Sequence, residues 1–63
     1  MASDISFSKV RRLLEQNGWA LHHITGSHHI FKKAGKATFS VPVHRGKVKE
    51  IYFKQAKNIT RTS

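Results

Sequence analysis

The first regular pattern along the chain is an apolar stripe at helical spacing. In "SFSKVRRLLEQNGW" the residues on this stripe are Phe7, Val10, Leu13 and Leu14. The spacing predicts an amphipathic helix near the start of the sequence. Ser6 or Ser8 can cap its free N–H groups, and Asn17-Gly18 can end it in a left-handed conformation.

After Gly18 the period of the pattern changes from helical to alternating. Residues 19–22, "WALH", begin the alternation, and "HHIFKK" (28–33) and "ATFSVPVH" (37–44) continue it. Alternation places successive side chains on opposite faces of a sheet. The three runs therefore predict three strands.

The last part of the pattern, "GKVKEIYFKQAKN" (46–58), returns to helical spacing. This spacing runs through Val48, Ile51, Tyr52 and Gln55, and Asn58 can cap the C-terminal end of the helix. The order helix, three strands, helix predicts an α+β fold in which two helices cover one face of a three-stranded antiparallel sheet. No linker or repeat divides the chain, so we expect one domain over residues 1–63 with an ordered core of about 6–58.

The two strand connections contain "ITG" (24–26) and "KAG" (33–35). A two-residue loop of Thr-Gly or Ala-Gly would force the first residue to positive φ, which Thr and Ala resist. A three-residue loop with Gly26 or Gly35 in the left-handed third position avoids this strain. We therefore expect a three-residue loop in both hairpins.

This register assigns the two adjacent histidines of "GSHHIF" to opposite faces of the sheet. The face covered by the helices would hold Trp19, Leu21, His29, Phe31, Phe39, Val41 and Val43. The open face would hold His22, His28, Ile30, Thr38, Ser40, Pro42 and His44. His28 would lie opposite His22 on one side and Ser40 on the other. We expect His29 to be packed and hydrogen-bonded, and His28 to be either a functional group or an inert surface residue.

Composition adds a strong positive charge to this picture. Twelve Lys and Arg residues against three acids give a net charge of +9, and nine of the twelve follow Phe31. Such an excess can serve solubility, but it more often indicates a polyanionic partner. Nucleic acid is favoured over a membrane, because no broad apolar face flanks the basic segments. The chain has no Cys, no membrane-length apolar run and no signal peptide, so we expect a cytoplasmic protein.

The open face is compatible with three chemistries. Metal binding by His22, His28 and His44 is disfavoured, because His44 lies far along its strand and carboxylates are scarce; we expect no metal and no cofactor. Passive binding of RNA would use the phosphate-binding candidates Lys32, Lys33, Lys36, Arg45, Lys47 and Lys49. Cleavage of RNA would in addition use an imidazole to take the proton from a ribose 2′-OH, which then attacks the adjacent phosphate.

Several segments together resemble one protein family. "LLEQNGW", "GSHHIF" and "TFSVPVH", followed by a Gly-Lys segment and "KQA", are similar to the HicA (YcfA-like) family of toxin mRNA interferases. The similarity runs from about residue 6 to residue 57. "GSHH" together with "VPVH" at this spacing carries most of its specificity. The segment "HRGKVKE" before the last helix is shorter than in typical members and lacks their Pro-Gly pair.

The resemblance implies a compact α-β-β-β-α fold like that of a double-stranded-RNA-binding domain. It also implies metal-independent mRNA cleavage by one histidine, the first after Gly-Ser, which is His28 here, and a HicB-like antitoxin that covers the histidine face. Supporting roles for His22, Ser40 and His44 are hypotheses from position alone. The alternative is a non-catalytic RNA-binding module of the same fold.

Overall fold

The structure, a computed structural model, describes residues 4–61. Its elements are β1 (Asp4–Ser6), α1 (Phe7–Gln16), β2 (Ala20–Thr25), β3 (His28–Lys32), β4 (Phe39–Pro42), β5 (Lys47–Lys49) and α2 (Glu50–Arg61). The predicted α+β fold, with the order α-β-β-β-α and an antiparallel sheet β2-β3-β4, is confirmed. The ends of the predicted domain, 1–3 and 62–63, lie outside the described residues.

Helix α1 begins where the pattern predicts, but a backbone contact satisfies its first N–H group. Ser6 occupies the N-cap position without a side-chain capping hydrogen bond. Instead, the N–H of Phe7 donates to the carbonyl oxygen of Gly46 at 2.9 Å. One of the donors that a helix leaves unpaired at its N-terminus is thereby used to hold a distant hairpin.

Gly18 ends α1, as the sequence indicates. It has φ +91°, and its N–H donates to Glu15 O while the N–H of Trp19 donates to Leu14 O at 3.0 Å. These two bonds form a Schellman motif, which favours Gly because the residue is left-handed. The motif turns the chain so that Trp19 and Leu14 both enter the core.

The first hairpin differs from the predicted register. Its loop is the two-residue Gly26-Ser27 rather than 24–26, with Gly26 at φ +60°. Placing glycine first in the loop removes the strain that the prediction assigned to a two-residue turn. Thr25 therefore pairs with His28, and the predicted pairing of His22 with His28 is wrong.

A β-bulge in β2 returns the residues before it to the faces that were predicted for them. The register shifts between Leu21 and His23, so that His22 is an extra residue without a direct partner on β3. One extra residue in one strand reverses which side the following residues face. Leu21 consequently pairs with Phe31 and faces the helices, as predicted, although the turn lies elsewhere.

The second connection, by contrast, is longer than predicted. Residues 33–38 separate β3 from β4, so a three-residue loop at 33–35 is wrong. Gly35 does have a positive φ, of +78°. His28 pairs with Pro42, and Ser40 lies opposite Ile30, two positions away from its predicted partner. A shift of two leaves every residue of β4 on its predicted face.

The C-terminal segment departs most from its pattern. Val48 is the buried residue of β5 and not the start of the helix, and α2 continues through Asn58 to Arg61. The predicted stripe of α2 is wrong as well, because Ile51 is 58% exposed and Ala56 is fully buried. Strand β5 pairs with β1 in a second, two-stranded antiparallel sheet that the pattern did not predict.

One hydrophobic core joins both helices to both sheets. Its buried residues are Val10, Leu14, Trp19, Phe31, Val41, Val48 and Ala56. The remaining apolar residues of the predicted covered face, Leu21, Phe39 and Val43, pack against this cluster. The division of the main sheet into a covered and an open face is therefore confirmed. Neither helix within residues 4–61 is long and apolar enough to cross a membrane.

The hairpin that leads into β5 contains a non-glycine residue in the left-handed region. His44 and Lys47 exchange two backbone hydrogen bonds of 2.9 Å across Arg45-Gly46. Both central residues have positive φ, 55° for Arg45 and 76° for Gly46. This is the pattern of a type I′ turn, whose first position favours Asn, Asp or Gly. An Arg at this position is strained.

We expect Arg45→Asn to stabilise the protein. Relieving the left-handed strain should raise the free energy of unfolding by about 0.5–1 kcal/mol. For a domain of this size that corresponds to an increase in the melting temperature of about 2–8 °C. Thermal denaturation followed by circular dichroism measures the effect. Arg45→Gln, which removes the charge and keeps the strain, is the control, and equal melting temperatures for the two variants would contradict the strain argument.

Candidate active site on the open sheet face

The site is centred on His28, at the start of the central strand. Its direct neighbours are Thr25 on β2 and Pro42 on β4, and its side chain is exposed. The N–H of Val43 donates to Ser27 O at 2.7 Å, so the adjacent pair His28–Pro42 is of the non-hydrogen-bonded type, in which side chains approach closely. Pro42 is tolerated there because β4 is an edge strand and the pair needs no proline N–H.

Ser40 contacts the His28 ring across a diagonal of the sheet. The distance from His28 Nδ1 to Ser40 Oγ is 3.3 Å, a long hydrogen bond in which the donor depends on the tautomer of the ring. The two residues are not directly opposite, but diagonal neighbours remain within reach of a long side chain. The hydrogen bond orients Nδ1 towards β4 and leaves Nε2 without a partner among the described residues.

His29 faces the other way and packs under α1. Its ring centre lies 4.6 Å from that of Phe7, and its Nδ1 lies 3.4 Å from the carbonyl oxygen of Ser27. The prediction of a packed, hydrogen-bonded His29 is confirmed. The two adjacent histidines thus differ in environment because they lie on opposite sides of one strand.

His22 is not the direct neighbour of His28 that the predicted register made it, and His44, which was predicted at the far end of its strand, is not one either. His22 lies in the bulge of β2, on the level of Ile30 and Phe31, and its ring contacts that of His23 at 4.9 Å. His44 lies beyond the end of β4 in the bridge to Lys47. Both are exposed. Pro42 and Thr25, to which the sequence analysis gave no role, are instead the residues that flank His28.

The six phosphate-binding candidates separate along the chain into two groups, one before β4 and one after it. Lys32 is the last residue of β3, next to the pair Phe31–Phe39, and Lys33 and Lys36 follow it in the loop. Lys33 is half-buried, and Lys36 borders a shallow apolar pocket of about 240 Å³ with Trp19, Phe39 and Ile59. Arg45, Lys47 and Lys49 follow the end of β4 that pairs with His28. Arg45 and Lys47 of the second group therefore lie in the hairpin next to the His28 end of β4, and Lys49 lies further along β5 in the second sheet.

Few of the positive charges are neutralised within the chain. The one ion pair among residues 4–61 joins Arg11 Nε to Glu15 Oε2 at 2.9 Å on the surface of α1. All six phosphate-binding candidates are therefore without a carboxylate partner in the part of the chain that the structure describes. The same described part holds no group of three His, Asp or Glu side chains that could bind a metal ion.

Comparison with known families identifies the chain. The model of the family described as "HicA toxin of bacterial toxin-antitoxin" matches residues 7–61. The match covers α1 to the end of α2 and includes "GSHH" and "VPVH". The chain therefore belongs to the HicA toxin family, the toxin component of bacterial toxin–antitoxin systems. No curated protein matches the chain.

The opposite orientations of the two histidines predict that their replacement by Ala affects stability to different extents. His29→Ala should lower the free energy of unfolding by about 1–3 kcal/mol, because it removes a packed ring and its contact with Phe7. His28→Ala should change it by less than about 0.5 kcal/mol, as is usual for exposed positions. Urea denaturation of the matched pair measures both values. Equal losses in the two variants would contradict the assignment of faces.

Proposed function

We propose that the chain is an endoribonuclease that cleaves mRNA without a metal ion, with His28 as its general base. The observation that carries the proposal is an exposed histidine on the central strand, hydrogen-bonded at Nδ1 and open at Nε2, within a strongly basic chain of the HicA toxin family. The family and the charge support an RNA substrate. The position of His28 supports a catalytic role for this residue in particular.

The hydrogen bond to Ser40 is compatible with the tautomer that the reaction needs, because a serine hydroxyl can accept as well as donate. When Nδ1 carries the ring proton, it donates to Ser40 Oγ, and Nε2 presents its lone pair to solvent. Nε2 then takes the proton of a ribose 2′-OH, the 2′-oxygen bonds to the adjacent phosphorus, and the bond from phosphorus to the 5′-oxygen breaks. The departing 5′-oxygen takes up a proton, from the imidazolium or from water. Ser40 is a positioning residue in this scheme.

Charge stabilisation is proposed for the basic residues nearest His28. The phosphorane-like transition state carries extra negative charge, which unpaired cations can stabilise. Arg45, Lys47 and Lys49 are the group that follows the His28 end of β4 along the chain. Lys32, Lys33 and Lys36 would hold the RNA backbone further along. We assign no catalytic contribution to His22 or His44, because neither is a direct neighbour of His28.

A HicB-like antitoxin is the proposed protein partner. Membership of a toxin–antitoxin family implies a cognate antitoxin in general. We propose that it covers the open face of β2-β3-β4 and so blocks access to His28. A partly buried Ile30 and Pro42 lie beside His28 on that face, and the surrounding cations favour an acidic partner surface.

We expect His28→Ala to slow RNA cleavage by about 10²–10⁴-fold, the usual contribution of one acid–base group. His23→Ala, which removes an exposed histidine from β2, should cleave at the wild-type rate. Cleavage of a labelled mRNA in the presence of a chelator measures both, and RNA binding is measured in parallel. Equal cleavage by the His28→Ala variant would remove His28 from the mechanism. RNA binding without cleavage by the wild type would favour the non-catalytic module, and loss of cleavage with chelator would favour a metal-dependent reaction.

The chemistry also predicts the ends of the RNA fragments. Attack by the 2′-oxygen leaves a 2′,3′-cyclic phosphate on one fragment and a 5′-hydroxyl on the other. A substrate with a 2′-O-methyl group at the cleaved nucleotide should stay intact, because it has no proton for His28 to remove. Mass spectrometry of the products tests this. Cleavage of the 2′-O-methyl substrate at the same bond would instead indicate attack by water.

A further inference from the structure

A second cluster of cations lies in the helical layer, away from His28. Lys9 Nζ of α1 lies 5.7 Å from the centre of the Phe53 ring, and Lys57 Nζ of α2 lies 5.1 Å from it. The two ammonium groups are therefore within about 11 Å of one another. We call Lys9, Phe53 and Lys57 the helical clamp.

The clamp is separate from the proposed active site. Phe53 packs against the hydrophobic core, and this core lies on the face of the sheet to which His29 and Phe31 point. His28 points to the opposite face, because successive residues of a strand alternate. The body of the domain therefore lies between the clamp and His28, and an RNA bound at both must pass around the protein.

The clamp is suited to bind an anion from outside the chain. Both ammonium groups are positively charged, and neither lysine forms an ion pair within residues 4–61. By contrast, Arg11 on the same helix as Lys9 is already paired with Glu15. The ring of Phe53 attracts both ammonium groups and restricts their motion. Because the two lysine side chains are already restricted, they lose less conformational entropy when a ligand binds.

We propose that the helical clamp is a second binding site for the RNA backbone, with Lys9 and Lys57 contacting phosphates outside the cleaved segment. This inference rests on the proposed action on RNA and extends it to the length of substrate that the protein recognises. RNA is favoured over an acidic protein, because the net charge of +9 and the proposed substrate both indicate a polyanionic nucleic acid. Short RNA bound only at His28 would not reach the clamp. Long RNA would contact both sites.

The test compares two double variants of equal charge. Lys9→Gln/Lys57→Gln removes the clamp, and Arg11→Gln/Lys54→Gln removes one charge from each of the same helices without touching Phe53. The affinity for a long and a short single-stranded RNA is measured over a range of salt concentrations. Each phosphate contact in single-stranded RNA contributes about 0.7 to the slope of log affinity against log salt. The clamp variant should lower this slope by about 1.4 on long RNA, weaken binding roughly tenfold at moderate salt, and leave binding of short RNA unchanged.

Each result separates the two proposals. Equal losses in the two double variants would overturn the inference in favour of bulk charge, and unchanged binding of long RNA by the clamp variant would overturn it directly. Loss of antitoxin binding with normal RNA binding would assign the clamp to a protein partner and also overturn it. Failure of the wild-type chain to bind any RNA would overturn the proposed function itself. Phe53→Leu, which keeps an apolar side chain and removes the ring, should weaken binding of long RNA less than the double lysine variant does.

Discussion

The burial of Phe31 in the central strand is the constraint on which the site depends. Its side chain is fully buried and is the largest of the fully buried side chains in the described part of the chain. Exposing a Phe of this kind costs about 1.5–3 kcal/mol in hydrophobic free energy alone, a large share of the stability of so small a domain. A slip of β3 by one residue would expose Phe31 and turn Lys32 and His28 towards the helices. The exposure of His28 is thus a consequence of packing three residues away.

The same constraint explains why the faces could be predicted although the turns could not. Alternation of apolar residues in "HHIFKK" and "ATFSVPVH" determines which side is buried, and this side is unchanged by a register error of two residues. The predicted register of the second hairpin differs from the observed one by two residues. The first hairpin places its glycine at a different turn position, and only the bulge at His22 returns Leu21 to the core. The alternation of apolar and polar residues does not reveal a bulge of this kind.

Features that depend on register were correspondingly harder to predict. The neighbours of His28 were predicted from the residues directly opposite it in the expected register. His22 was therefore misplaced, and Pro42 and Thr25 were missed. Ser40 reaches His28 only because its diagonal contact spans the two-residue shift. The pairing of β1 with β5 is a contact between distant parts of the chain, and three-residue strands are too short for alternation to reveal. For the same reason Val48 was read as the start of the last helix.

The pairing of β1 with β5 has a consequence for how the molecule is made. It joins Asp4–Ser6 to Lys47–Lys49 and closes a loop of about 40 residues, at an entropic cost that must be met by contacts formed together. The hydrogen bond from Phe7 to Gly46 crosses the same gap. A growing chain contains both partners of these contacts only once it extends to Lys49, and helix α2 follows later still. These contacts can therefore form only after Lys49 has been synthesised, and the earlier part of a growing chain lacks them.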